Sequence, residues 1–248
     1  MPLSGVVAFF AVFIAVVAFI FIAGARQQKR WRARPAILRA FAQRRGYSVV
    51  EKPGKPSELV PIRPLEQGPN VEAIELPLAV RGRTLDADFT LFDVYKETND
   101  HAAGHASHHE SFETFLTINS GRSWPHFEFA VVHLAEGSFG AALVEMAAAL
   151  AQSRMNDRGL VRVPIPDRPG YELFVAPDAD AAAIRDVLVP LFDNRGSWWI
   201  GGLGDAVTLQ RRDSKSVTQG TLIAEKDLDR FIDEAFEIER AARGAIRP

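Results

Sequence analysis

The chain has 248 residues, 47% of them apolar and 24% charged, with no cysteine and a formal net charge of −2. That length accommodates one membrane segment plus one domain of about 200 residues with a core of its own, while the absence of cysteine excludes disulfides, a thiolate nucleophile and Cys-based metal sites. The near-zero charge hides a split: eight Lys and Arg precede Glu51 with no acid among them, so the remainder carries about −10 and makes a poor partner for nucleic acid phosphates.

The first element is a run of apolar residues. Val6 to Ile22 contains only Val, Ala, Phe and Ile, and Gly24 and Ala25 extend it. About 20 such residues in a helix match a hydrocarbon core of roughly 30 Å, and in lipid only a helix satisfies its own backbone. Met1 to Gly5 lacks the basic start of a signal peptide. Cleavage at Ala23-Gly24-Ala25 would leave a strongly basic, export-resistant end, so an uncleaved anchor is expected. Arg26, Lys29, Arg30, Trp31, Arg32 and Arg34 follow it as candidate membrane-interface residues. The positive-inside rule places them in the cytoplasm and the N-terminus outside, in a single-pass inner-membrane topology. Within the anchor Ala8, Ala11, Ala15 and Ala18 form one small-residue stripe, a candidate helix-association seam.

Pro35 is read as opening a short helix carrying Ile37, Leu38 and Phe41, with Gly46 as its cap and a strand from Tyr47 to Val50. Pro53, Pro56, Pro61, Pro64 and Pro69 make residues 51–70 a linker or irregular loop. Strand signals follow: Val71 to Val80, broken by Pro77; a turn at Arg81-Gly82-Arg83; Thr84 to Tyr95; a polar loop from Lys96 to Glu110; Phe112 to Ile118; and Phe127 to Leu134. Ser138 to Gln152 reads as a helix, Val161 to Ile165 and Tyr171 to Val175 as strands. A helix capped by Asp178 or Asp180 carries Ile184, Val187, Leu188 and Leu191, with Pro190 ending or kinking it. Trp198 to Gly201 and Ala206 to Gln210 form a hairpin, with one indole of Trp198-Trp199 on each face and the outward one a candidate contact. The last helix, Ala224 to Arg243, buries Leu228, Phe231, Ile232, Ala235 and Phe236 and turns its acids to water. The fold class expected is α+β: an N-terminal transmembrane helix, then a mainly antiparallel sheet with several packed helices. Its parts are an anchor (1–25), a basic juxtamembrane helix and first strand (26–50), the Pro-rich segment (51–70) and a cytoplasmic domain (71–248).

The residues with most chemical promise are His101, His105, His108 and His109, four of the six histidines within nine residues. Imidazoles at this density bind zinc or another divalent transition metal, although a loop has to be ordered to gather them. Asp86 and Asp88 share a strand face in this reading and suit a hard cation or acid–base work, as does any solvated face; Asp93 falls on the opposite one. Gly201, Gly202 and Gly204 do not form a dinucleotide fingerprint, Gly54-Lys55 is not a phosphate-binding loop, and no Gly-x-Ser-x-Gly elbow occurs.

Phe41-Ala42-Gln43-Arg44-Arg45-Gly46-Tyr47, Gly82-Arg83 ahead of Phe89 and Phe92-Asp93-Val94-Tyr95, Tyr171-Glu172-Leu173-Phe174-Val175 and Val189-Pro190-Leu191 resemble, behind such an anchor, a loosely defined set of bacterial single-pass membrane proteins without a known activity. The resemblance covers most of the chain, through weak hydrophobic motifs, and implies no catalytic residue. The expected function is therefore a membrane-anchored cytoplasmic domain that binds or scaffolds a protein at the inner membrane, with self-association through the anchor as a further contact. The alternative is a metal-binding protein or metal-dependent enzyme built on the histidine loop.

Overall fold

The fold is taken from a computed structural model that describes residues 29, 31–54, 59, 71–100, 107–131, 159–212 and 222–246. The apolar run with its alanine stripe, most of the Pro-rich segment, and the helix read over Ser138 to Gln152 lie outside the described residues. Among the described residues no helix is long and apolar enough to cross a membrane.

The α+β class is found: among the described residues there are three α-helices and an antiparallel sheet of eight strands. Helix α1 covers 31–45. The strands are β1 (Ser48–Glu51), β2 (Val71–Glu75), β3 (Leu78–Arg83), β4 (Asp88–Asp100), β5 (Ser107–Val131), β6 (Val161–Val163), β7 (Tyr171–Val175) and β8 (Trp198–Arg211). Helix α2 (Ala181–Phe192) follows β7, and α3 (Leu228–Ala245) closes the described chain. Pro77 separates β2 from β3 as read, and both pair with the same edge of β4, with β1 beyond β3.

The centre of the sheet is a nested hairpin. The backbone N–H of Arg212 donates to the Ser197 carbonyl (2.9 Å), so the fourteen residues of β8 double back between them. An extended run of that length would separate its ends by roughly 45 Å. Gly204 (φ +61°) and Asp205 form the exposed tip, where a glycine tolerates the left-handed backbone. The two arms of β8 sit between two arms of β5. Ala206 to Gln210 pair with Phe115 to Asn119, and Trp198 to Gly202 pair with Phe127 to Val131. Between Asn119 and Phe127, β5 wraps the tip through bulges. Its outer edges pair with β4 on one side and β7 on the other, and β6 completes the sheet beyond β7.

All three helices lie on one face. Phe41, Phe89, Phe129, Phe192, Phe231 and Trp198 belong to one buried cluster there, with Trp198 stacked on Phe231 at 5.6 Å. The opposite face carries a smaller cluster of Leu59, Ala79, Phe92, Val94, Phe115 and Trp199. Both tryptophans of the pair are thus buried, and neither is an outward contact.

Several boundaries differ from the sequence reading. Helix α1 starts before Pro35, because Trp31 packs on Tyr95 and Phe112 (5.9 and 5.3 Å) and Arg34 is bound inside the domain; these contacts outweigh the hydrogen bond that proline removes. Arg81, Gly82 and Arg83 are strand, not turn; the turn is at Thr84, whose N–H and hydroxyl both engage the Ala87 carbonyl. Any side chain at Gly82 would run into the Phe89 ring, which explains a glycine inside a strand. The stretch read as a loop from Lys96 to Glu110 is largely ladder: pairing continues to Asp100 opposite Ser107. In α3, Glu239 is buried (1% exposed) against the expectation that the acids face water. Asp180, the alternative to Asp178, caps α2 by accepting from the Ala183 N–H (3.0 Å).

Candidate functional site

Where β3, β4 and the first arm of β5 end beside α1, the surface opens into a cleft of about 690 Å³. The register explains its lining. Arg81 and Arg83, two apart on β3, project from one sheet face opposite Thr90 and Asp88, and the next rungs place Thr117 and Asn119 beside them. Arg45 and Ser48 close one side and Leu59 another. Three arginines, one aspartate, four hydroxyl-bearing residues (Tyr47, Ser48, Thr90 and Thr117) and one asparagine therefore line one opening.

The cations are not equally committed. Arg45 pairs with Asp229 of α3 at 2.7 Å, whose carboxylate holds the guanidinium above its ordinary value mainly through the hydrogen bond. Arg83 lies 3.4 Å from Asp88, an exposed pair of small energetic weight. Arg81 is exposed and forms no ion pair among the described residues. Thr117 and Thr208 share a hydrogen bond of 2.9 Å between their buried hydroxyls, which fixes the floor. The arrangement suits a carboxylate or phosphate, since guanidinium offers a planar fork and the hydroxyls complete the shell.

A second charged group lies on the same sheet face. Glu113 and Glu128 occupy rungs of the two arms of β5 and Glu172 a rung of β7, with Arg212 just past the end of β8. Burial pushes the Glu172 carboxyl up, opposed by Arg162 (3.9 Å) and Arg212. Burial also pushes the Arg212 guanidinium down, opposed by Glu113, Glu172 and Glu128. Mutual attraction offsets part of the cost of desolvating each member.

The residues singled out from sequence separate in space. Arg34 is 3% exposed, donating to both Asp93 carboxylate oxygens (2.5 and 3.3 Å), to the Ile223 carbonyl (2.7 Å) and to the Thr114 hydroxyl (3.4 Å). Thr114 in turn donates to Asp93 (2.6 Å) and accepts from the Ile223 N–H (3.0 Å). Arg34 is thus turned into the domain, where a fully hydrogen-bonded carboxylate replaces the headgroup expected for it. Trp31 is half-buried on Tyr95 and Phe112, while Lys29 and Arg32 are exposed. Arg26, Arg30, Ala8, Ala11, Ala15, Ala18, His101 and His105 lie outside the described residues. His108 and His109 are strand residues, opposite Asn99 and Thr98. No three His, Asp or Glu among the described residues are grouped to hold a metal ion. Asp86 sits in the turn before β4 and Asp88 pairs with Arg83, so the expected strand-face pair of carboxylates does not form.

Sequence reading missed the cleft because Arg81-Gly82-Arg83 looked like a turn. The available signal was two arginines two apart next to an apolar strand, which on a β-ladder share a face. No protein-family model matches the chain, and neither a curated protein nor a solved structure matches it.

Proposed function

We propose that this chain is a membrane-anchored binding module. In this reading residues 1–25 span the inner membrane, the remainder lies in the cytoplasm, and a protein partner presents an acidic segment to the cleft at Arg81 and Arg83. The observation that carries the reading is the locking of α1. The helix that follows the apolar run within a few residues is fastened to the sheet by the buried Arg34–Asp93–Thr114 network. An anchor joined so closely to the fold would fix the position of the whole domain, which suits a module that presents a surface at a membrane. The free guanidinium of Arg81 in a cleft of about 690 Å³ supplies that surface, and acidic recognition by clustered arginine is an established mode.

The test uses the full-length protein in nanodiscs and a fluorescent Glu-rich peptide followed by anisotropy. Binding is expected to weaken steeply with added salt and to fall about tenfold or more in Arg81→Ala, as loss of a charge-assisted contact requires. Binding unchanged by Arg81→Ala and Arg83→Ala overturns the assignment of the cleft.

A further inference from the structure

The turn that joins β3 to β4 presents a side chain that the core does not use. Leu85 is fully exposed; the other large apolar side chain exposed among the described residues, Val161, is about half so. The turn is built by the neighbours of Leu85. The Thr84 N–H donates to the Ala87 carbonyl (2.9 Å), and the Thr84 hydroxyl accepts from the N–H groups of Asp86 (3.4 Å) and Ala87 (3.2 Å). Ala87 is buried in the main cluster. The tip is thus held on a fixed backbone, and a partner has only the leucine side chain to immobilise.

A lone exposed leucine is ordinary. This one stands beside the cleft, because Arg83 and Asp88, which flank its turn, both line that opening. Its spacing also fits. Arg81 and Arg83 are two positions apart on one face of β3, and Leu85 follows two positions later. Two residues of extended chain advance about 7 Å. A partner segment lying extended along β3 has the same repeat, so acids two apart meet Arg81 and Arg83, and the next position in step meets Leu85. Charge selects what stands there. Asp86 and Asp88 are both exposed on either side of Ala87, so a third acid at that position meets like charge. An apolar side chain does not, and it covers the leucine.

We infer that Leu85 is the apolar anchor of the cleft, and that the partner segment carries two acids spaced two apart followed, in the same step, by a large apolar residue. The inference rests on the reading of the cleft as a site for an acidic protein segment. It adds a selectivity that charge alone lacks: a purely acidic segment satisfies the arginines, and the leucine picks out segments that are apolar at one end.

The test uses the 248-residue chain in nanodiscs of zwitterionic lipid and three fluorescent peptides followed by anisotropy. Each peptide has two glutamates two apart in a serine background. One adds a phenylalanine two positions after the second glutamate, and another adds it two positions before the first, which covers both chain directions. One of the phenylalanine peptides is expected to bind about tenfold tighter than the serine peptide, the scale of burying a leucine. Leu85→Ser is expected to remove that gain and to leave the affinity of the serine peptide unchanged. Arg81-dependent binding of the serine peptide with no gain from either phenylalanine, or a gain that survives Leu85→Ser, overturns the anchor role of Leu85 and leaves the cleft standing. Binding of no peptide, or binding indifferent to Arg81→Ala, overturns the cleft and the leucine contact together. Capture of labelled anionic vesicles that Leu85→Ser abolishes, without a phenylalanine gain, assigns the tip to a lipid surface and overturns the inference. Circular dichroism confirms the fold of the variant, and Leu85→Gln replaces Leu85→Ser if that variant fails to fold.

Discussion

Asp93 shows how much one side chain settles. It lies between Phe92 and Val94 on β4, fully buried, and its carboxylate would be an uncompensated charge without Arg34. Asp93→Ala is expected to lower stability by about 3–5 kcal/mol, because it strands a buried guanidinium. Replacing both partners, Arg34→Met with Asp93→Leu, is expected to recover most of that loss; denaturant midpoints of the two variants check the pair. The acids Glu172 and Glu239 act in the other sense. Burial raises both carboxyls above the ordinary 4.5, so the folded state holds more protons than the unfolded chain between that value and the raised ones. Stability from these groups is present in full below 4.5 and falls as pH rises through the shifted values. Glu172→Gln is expected to flatten that decline, seen as a smaller change in melting temperature between mildly acidic and neutral pH. A steeper decline in the variant would contradict the burial argument. Neither feature was open to sequence reading in full. An acid inside an apolar strand signals a buried partner, but the partner sits 59 residues away in a stretch whose other charges suit lipid.

Among the elements, those built from local pattern were legible: the Pro77 break, Tyr171–Val175, the β8 hairpin with its glycines, and the buried stripe of α3. The cap of α2 is one such local device. Asp180→Ala is expected to cost about 1 kcal/mol, visible as a lower melting temperature. Asp227→Ala is expected to cost less, since Asp227 makes no capping hydrogen bond at α3 and only an exposed pair with Arg230. The extension of β4 and β5 past Lys96 was not legible for a physical reason. Alternation of apolar and polar residues records burial of one face, and from Lys96 to Glu110 alanine is the only apolar residue type, so no alternation marks the ladder. The start of α1 was obscured by Pro35, a helix-opening residue overruled by the packing of Trp31 and Arg34. The cleft was hidden because each contributing segment, taken alone, has the composition of solvated surface.

At the scale of the whole molecule, one polarity organises the domain. The start of α1 and the end of the β4–β5 ladder lie at one extremity, the basic cleft at the other, with the helices on one face of the sheet between them. The interleaving of β5 with β8 adds a temporal order to this layout. The central strands are neighbours in space yet about eighty positions apart along the chain. Contacts of such separation close late, since the loop entropy has to be met before the pairing repays it. As the polypeptide leaves the ribosome, β1 to β4 and the near arm of β5 can assemble among themselves. The far arm with β6 and β7 has no bridge to them until Arg211 has emerged. Each nascent copy therefore carries two unjoined half-sheets for the time needed to synthesise the intervening residues, and β8 is the wedge whose arrival unites them.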